Sequence, residues 1–463
     1  MSRPRTTKVR DVVKELMQPL ATRTPHPSRR PPAVDRIGAH TVKSLLSRFG
    51  SPLCVFDEDR LRLAYRNMLG AFRALWPKTR IAWSVKTNWL SSIAAVLRSE
   101  GALGEVVSGF EYGICRDLGI PGKDIIFNGP WKSDAELKQA FREEAWVNID
   151  SHDELERVLK LANGLKKPAK IGLRVNVKLN YPPWDKFGFR VDESVTFEAA
   201  RRITGHKKLI LAGLHLHVGT YVPDVSIYRQ GMEALVGLAL RLEAELGCTI
   251  ESLDMGGGYA TRNTLRGVML PGAATAPAYE DYALAVTAPL LAHEKRFKRP
   301  PTLTLEPGRG LIDEAAKFIS TVLAVKRPEG SQQTAILDVG VHILPTAYWY
   351  EHEVSPVRDD GRPLGHWRLA GNLCMQIDVI REEVVLPELE PGDRLVIHDV
   401  GAYNFSQSMQ FIQLRPNYVM IRGKEAHIIR RAEVPADARG PEMLPRHLVS
   451  EESRTSALLR PAD

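Results

Sequence analysis

Hydrophobic positions along this chain switch between two periods, and the switch repeats. Val42, Leu45, Leu46 and Phe49 recur at helical spacing, SPLCVFD at 51–57 reads as a strand, and 58–76 returns to a helix. TRIAWSVKTN at 79–88 is the next predicted strand, followed by a helix over 89–100. The order continues through strands at 101–108, 123–130, 145–150, 170–177, 208–219, 250–258 and 302–309, with helices such as 111–119, 133–144 and 151–164 between them. Two of those helices open on Ser with Glu three residues later, Ser133 with Glu136 and Ser151 with Glu154, the pattern of a capping box.

Counted from 79–88 there are eight strands in regular β-then-α order. That order predicts a parallel sheet, and the count fits an α/β fold with a closed (β/α)8 TIM barrel. An open doubly wound sheet is the alternative. It fits less well, because polar clusters close nearly every strand, whereas an open sheet places its site at one switch point. After about residue 318 the regular helices stop, and TAILDVG, GDRLVIHDVGAY and NYVMIRGKEAHIIRRA read as strands joined by turns. The expected organisation is a basic arm over 1–34, a barrel over 35–317 and a mostly β domain over 318–463. The strand beginning at Ser51 is a candidate to join the second domain.

Composition narrows the class. The chain has 463 residues, 44% of them hydrophobic and 25% charged, which suits a large globular protein. No run of apolar residues is long enough for a membrane span. Most of the net charge of +8 sits in residues 1–30, where eight basic residues face only Asp11 and Glu15, so the charge does not argue for nucleic acid as a partner. Cys54, Cys115, Cys248 and Cys374 are too scattered for a disulfide framework or a metal cluster, which fits a reducing, cytoplasmic setting.

The chemistry gathers at the C-terminal ends of the barrel strands, where barrel sites form. Lys86, Glu105 with Ser108, Asn128, Asp150, Arg174, His217 with Thr220, Gly256 to Gly258, and Glu306 with Arg309 all fall there. Any one of them alone reads as an ordinary satisfied polar residue or a tight turn. Together they offer a nucleophile, an anion cradle and a buried carboxylate. Glycines let backbone N–H groups approach an anion, and Arg309 adds charge-assisted bonds. A lysine amine beside an anion site points to a Schiff base with a phosphorylated aldehyde cofactor.

Several ordered motifs carry a resemblance: WSVKTN at 83–88, KFGF at 185–188, HLHVGT at 215–220, DMGGGYA at 254–260, EPGRG at 306–310, GNLCMQID at 371–378 and GAYNFS at 401–406. In these the chain resembles the pyridoxal-phosphate decarboxylases of the alanine-racemase-like barrel fold (fold type III, group IV), most nearly the diaminopimelate branch, from about residue 37 to about 445. The resemblance implies pyridoxal 5'-phosphate as cofactor, with Lys86 as its Schiff-base lysine and His217 over the ring face. It puts Glu306 at the pyridine nitrogen and Thr220, Gly256, Gly257, Gly258, Arg309 and Tyr403 around the phosphate. Cys374 would reach into the partner subunit's site and protonate the substrate's α-carbon, which implies a homodimer with shared active sites. The related racemases place an arginine at the ring nitrogen, so Glu306 favours decarboxylation over racemisation or epimerisation.

Two positions depart from the pattern. Met375 stands where the diaminopimelate enzymes carry a glutamate after the cysteine, and Thr346 aligns with their arginine for the distal carboxylate. Met375 pairs with no ammonium and Thr346 clamps no carboxylate bidentately. With Tyr350 beside them, these residues set the expected specificity: a specialised biosynthetic decarboxylation of an amino acid or derivative other than standard meso-diaminopimelate. Plain diaminopimelate decarboxylation to L-lysine is the alternative, should an Arg or Lys elsewhere hold the distal carboxylate. Glu105 in place of the family's aspartate and Asn404 in place of its glycine are further departures.

Overall fold

The computed structural model describes residues 30–182, 184–191, 194–268, 270–448 and 460–461. The basic arm expected over 1–34 lies, up to residue 29, outside the described residues. The eight predicted barrel strands are present: β2 (Thr79–Ser84), β3 (Leu103–Val106), β4 (Ile125–Phe127), β5 (Trp146–Ile149), β6 (Ala169–Asn176), β7 (Leu209–Leu216), β8 (Ser252–Asp254) and β9 (Thr302–Leu305). They follow β1 (Leu53–Asp57) in the chain. Every neighbouring pair is parallel, and β9 returns to β2, so the sheet closes and the open-sheet alternative falls away.

Helices pack outside this wall with apolar faces inward. Glu58–Leu75 shows why such a stretch is a helix: Asp57 accepts the Arg60 N–H at its start, Glu58 and Asp59 face the helix dipole, and Leu61, Tyr65, Met68 and Phe72 bury one face. The capping box at Asp134–Arg142 is complete, with Ser133 and Glu136 each bonded to the other's backbone. The second Ser…Glu start differs. Ser151 caps His152–Ala162, but Glu154 turns aside to accept the Asp150 N–H at 2.8 Å and to pair with the buried Lys132 at 3.0 Å.

The region after the barrel is mostly β. Its strands are β10 (Ala316–Lys326), β11 (Gln333–Leu337), β12 (Val354–Pro356), β13 (Leu364–Ala370), β14 (Val379–Pro387), β15 (Arg394–Ile397), β16 (Asn417–Arg422) and β17 (Glu425–Arg430). The sheet order is β14-β13-β11-β10-β1-β16-β17, with β15 against β10 and β12. Thus β1, which precedes the barrel in sequence, lies between β10 and β16, antiparallel to one and parallel to the other.

Register places the polar ends of the barrel strands side by side. Ser84 pairs with Glu105, His215 with Arg174 on one side and with Asp254 on the other, and Asp254 with Thr304. Among the described residues no helix is long and apolar enough to cross a membrane.

Candidate active site

Beyond Ser84 the chain leaves β2 in a single tight turn, Val85–Thr87, that lifts Lys86 over the barrel mouth. The turn is fastened from the second region. Tyr403 N–H and Ser406 Oγ both donate to Thr87 O, at 2.8 and 3.1 Å, and Asn88 Nδ2 donates to Gly401 O at 3.1 Å. Lys86 Nζ lies 2.6 Å from Glu105 Oε2, which also accepts the Ser84 hydroxyl at 2.6 Å. Burial works against the ammonium, but Glu105, Tyr403 and Glu306 outweigh it and hold the Lys86 pKa above its usual value.

Glu306 follows β9 at the floor of the same space. Its Oε1 accepts Asn128 Nδ2 at 2.7 Å, and its Oε2 lies 3.2 Å from His215 Nε2. Asp254 completes the group, with one side-chain nitrogen or oxygen from each of His215, Asp254 and Glu306 within 4.8 Å of the others. Burial raises both carboxyls, but His215 and Lys86 pull Glu306 well below the carboxylate range, while burial and the Glu306 charge push Asp254 well above it. The pair therefore shares one negative charge, on Glu306.

His217 lies two residues beyond His215. Its Nδ1 accepts the Gly257 N–H at 3.1 Å, and its ring meets Trp184 edge-on at 5.1 Å. Burial, then Arg174 and Lys86, push the imidazole pKa well below normal, so it is neutral near pH 7. Gly256 and Gly258 have φ of +64° and +92°, and a Cβ on Gly257 would stand 2.4 Å from the Glu306 carbonyl oxygen. Arg309 is buried, pairs with Asp313 at 2.9 Å and carries the rings of Tyr350 and Tyr403 at 4.4 and 5.3 Å. Its Nε has no hydrogen-bond partner among the described residues.

One cavity of about 640 Å³ collects these groups. Lys86, His217, Thr220, Gly257, Gly258, Glu306, Arg309, Thr346, Tyr350 and Tyr403 all line it, and Gly256 lies behind the lining. Cys374 and Met375 do not line it. Asp378 pins their loop by accepting the Val341 and Leu373 N–H groups at 2.8 Å each, which leaves Cys374 exposed on the surface of the single chain. Sequence reasoning missed His215 and Asp254 as the partners of Glu306. The signal was period two: His215 and His217, like Asp254 and Gly256, are two apart at a strand end and share a face. Trp184 and Lys186, from the loop after β6, were also missed as cavity residues.

The residues present fit pyridoxal phosphate. A lysine amine faces the cavity, a carboxylate held ionised offers itself to a protonated ring nitrogen, and a buried guanidinium with a spare N–H stands beside a glycine turn for an anion. A closed parallel barrel with such a site and a β region folded onto its mouth defines a pyridoxal-phosphate-dependent decarboxylase of fold type III.

The comparisons agree. The family model described as "Pyridoxal-dependent decarboxylase, pyridoxal binding domain" matches residues 61–313, and the chain belongs to that family. It is 30% identical to the diaminopimelate decarboxylase of Actinosynnema pretiosum, over 87% of this chain and 91% of that one. It is 27% identical to the diaminopimelate decarboxylase of Methanocaldococcus jannaschii, over 89% and 96%. The crystal structure of diaminopimelate decarboxylase from M. jannaschii in complex with L-lysine superposes with a TM-score of 0.82 at 26% identity, covering 89% of this chain and 96% of that one.

These matches correct the expected substrate. Met375 and Thr346 argued against meso-diaminopimelate, yet the agreement with diaminopimelate decarboxylases runs along nearly the whole of both chains. The structure supplies the reason the argument failed. Thr346 is buried, its Oγ donating to Asn404 Oδ1 at 2.6 Å and lying 2.9 Å from His352 Nε2, so its hydroxyl serves the fold. Met375 is outside the cavity of its own chain. Positive charge reaches the cavity from Lys186 and Arg174 instead.

Proposed function

We propose that the protein is a diaminopimelate decarboxylase that converts meso-diaminopimelate to L-lysine and carbon dioxide. The observation that carries the reading is the presence, in one cavity, of the Lys86 amine and the ionised Glu306 carboxylate, in a chain that matches diaminopimelate decarboxylases over 87% and 89% of its length. When bound, pyridoxal phosphate supplies the electron sink for the pair left behind as the α-carboxylate departs. Lys86 would be the residue that holds the cofactor, and its amine would exchange with that of the substrate. Glu105, 2.6 Å away, takes up or returns the amine's proton as that exchange occurs. Glu306 keeps a proton at the pyridine nitrogen, and His215 and Asp254 keep Glu306 charged. The neutral His217 lines the same cavity and would pack against the cofactor ring without adding positive charge there. Thr220, the Gly256 to Gly258 turn, Arg309 and Tyr403 hold the phosphate.

Cys374 lies outside its own cavity and is exposed, which supports its service to a second copy, where it protonates the α-carbon. The working form is then a two-fold homodimer with shared sites. Lys186 and Arg174 bring cationic groups for the distal carboxylate. The partner is a small amino acid and not a nucleic acid, and four unpaired cysteines suit the cytoplasm.

The test is carbon dioxide release by the purified, cofactor-loaded protein from meso-diaminopimelate, L-lysine, ornithine, arginine and their D forms. Release from meso-diaminopimelate with L-lysine as product is expected. Release from another amino acid but not from meso-diaminopimelate sinks the substrate assignment.

A further inference from the structure

Below the cavity floor, inside the barrel, runs a polar chain that the roles above leave unused. It begins at Trp146, whose indole N–H donates and never accepts. Trp146 Nε1 lies 3.0 Å from Asn148 Oδ1, so that oxygen faces the indole and Asn148 Nδ2 points the other way. Asn148 Nδ2 donates at 2.8 Å to Asn128 Oδ1. Asn128 Nδ2 is thereby turned upward with both hydrogens free. It donates one to Glu105 Oε1 at 3.1 Å and the other to Glu306 Oε1 at 2.7 Å. Each link leaves the next a single orientation, and Asn128 and Asn148 are 3% and 1% exposed, Asn128 at the cavity wall and Asn148 behind it.

The barrel makes room for this chain. A Cβ on Gly172, in β6, would stand 2.0 Å from Asn148 Oδ1, and one on Gly213, in β7, 2.5 Å from Trp146 Cζ2. With any larger residue at either position the indole and the amide have no space.

We infer that Asn128 is a positioning residue that holds the Glu105 and Glu306 side chains together in one alignment, and that Trp146, acting through Asn148, fixes its orientation. The reverse orientation would set the Asn128 carbonyl oxygen against two carboxylates. Glu105 faces Lys86 and Glu306 faces His215, so one amide couples the lysine's counter-charge to the ring-nitrogen carboxylate. The inference rests on the proposed reading of Lys86 and Glu306.

Two variants test it. Trp146→Phe keeps an aromatic ring while removing the N–H together with part of the indole, and Asn128→Leu removes both donors at the carboxylates. In cofactor-free protein both should gain a protonated-carboxyl band in difference infrared spectra, beyond the one Asp254 supplies. Loaded with pyridoxal phosphate, both should shift the cofactor absorption band and lower kcat about tenfold or more, with KM unchanged. Infrared spectra, absorption and kcat all like wild type in Trp146→Phe would overturn the inference, and it decides alone if Asn128→Leu does not fold. If borohydride reduction of loaded wild-type protein fails to fix the cofactor on Lys86, the proposed function fails instead. The infrared comparison, made without cofactor, still judges the coupling.

Discussion

Thr346 and Asn404, 58 residues apart in sequence, share one buried oxygen: Asn404 Oδ1 accepts both the Thr346 hydroxyl at 2.6 Å and the Thr346 N–H at 3.1 Å. Each departs from the pattern the sequence otherwise resembles, and together they form one contact. Thr346→Val keeps the shape and removes the hydroxyl that meets both Asn404 Oδ1 and His352 Nε2, leaving the Thr346 N–H on Asn404. It should lower stability by about 1 kcal/mol and leave KM for meso-diaminopimelate within about threefold of wild type. Thermal melts and steady-state kinetics decide; an unchanged melt with a large rise in KM would make Thr346 a substrate contact.

Glu306→Gln removes the charge that His215 and Lys86 favour. We expect kcat to fall about 100-fold or more with the cofactor still bound, because the loss is at the ring nitrogen and not at the anion site. Loss of cofactor with little change in kcat per bound cofactor would move Glu306 out of that role.

Lys86→Ala and Cys374→Ala should each be inactive alone. Mixed and allowed to exchange subunits, they should recover about a quarter of wild-type activity, since half the dimers then carry one intact site. No recovery after exchange is demonstrated would mean that Cys374 does not serve a neighbour.

Lys132 and Glu154 are 0% and 1% exposed and lie 3.0 Å apart. Lys132 also donates to Gly129 O and Asn148 O, at 3.0 and 3.1 Å, and so ties the ends of β4 and β5 beneath the site. Lys132→Met strands a buried carboxylate and should cost about 3–5 kcal/mol, measured by chemical denaturation. Adding Glu154→Leu to it should restore much of the loss.

His342, His352 and His398 are each pushed down to about 4 by burial. Unfolded, they bind protons below their usual value near 6.5, so the unfolded chain takes up more protons between about 6.5 and 4. Their stabilising share is full above that window and is lost as pH falls through it. Asp399 and Glu111, raised by burial to about 7, act oppositely and lose stability as pH rises towards 7. His352→Gln should flatten the acid limb of stability against pH, read as melting temperature across the window. An unaltered limb would show that His352 does not contribute.

The barrel was legible because each strand and helix buries an apolar face at its own period, and the polar residues that break the strand pattern mark its C-terminal mouth. The gathering of Lys86, Glu306 and the Gly256 to Gly258 turn at one mouth was legible for the same reason. What escaped depends on register or distance. His215 and Asp254 become partners only when β7, β8 and β9 lie side by side. Glu154 reads as half of a capping box until Lys132 arrives from another loop. Thr346 looked like a missing substrate ligand because its partner Asn404 lies on a different loop of the β region.

The placement of β1 has a consequence for synthesis. Its two neighbours, β10 and β16, begin at Ala316 and Asn417, so the whole barrel leaves the ribosome before β1 meets either of them. Through that interval the nascent chain displays LCVFD with both strand edges open, an apolar template for any passing strand. Yield from cells should therefore respond to translation speed and chaperone supply more than the stability of the finished fold would suggest.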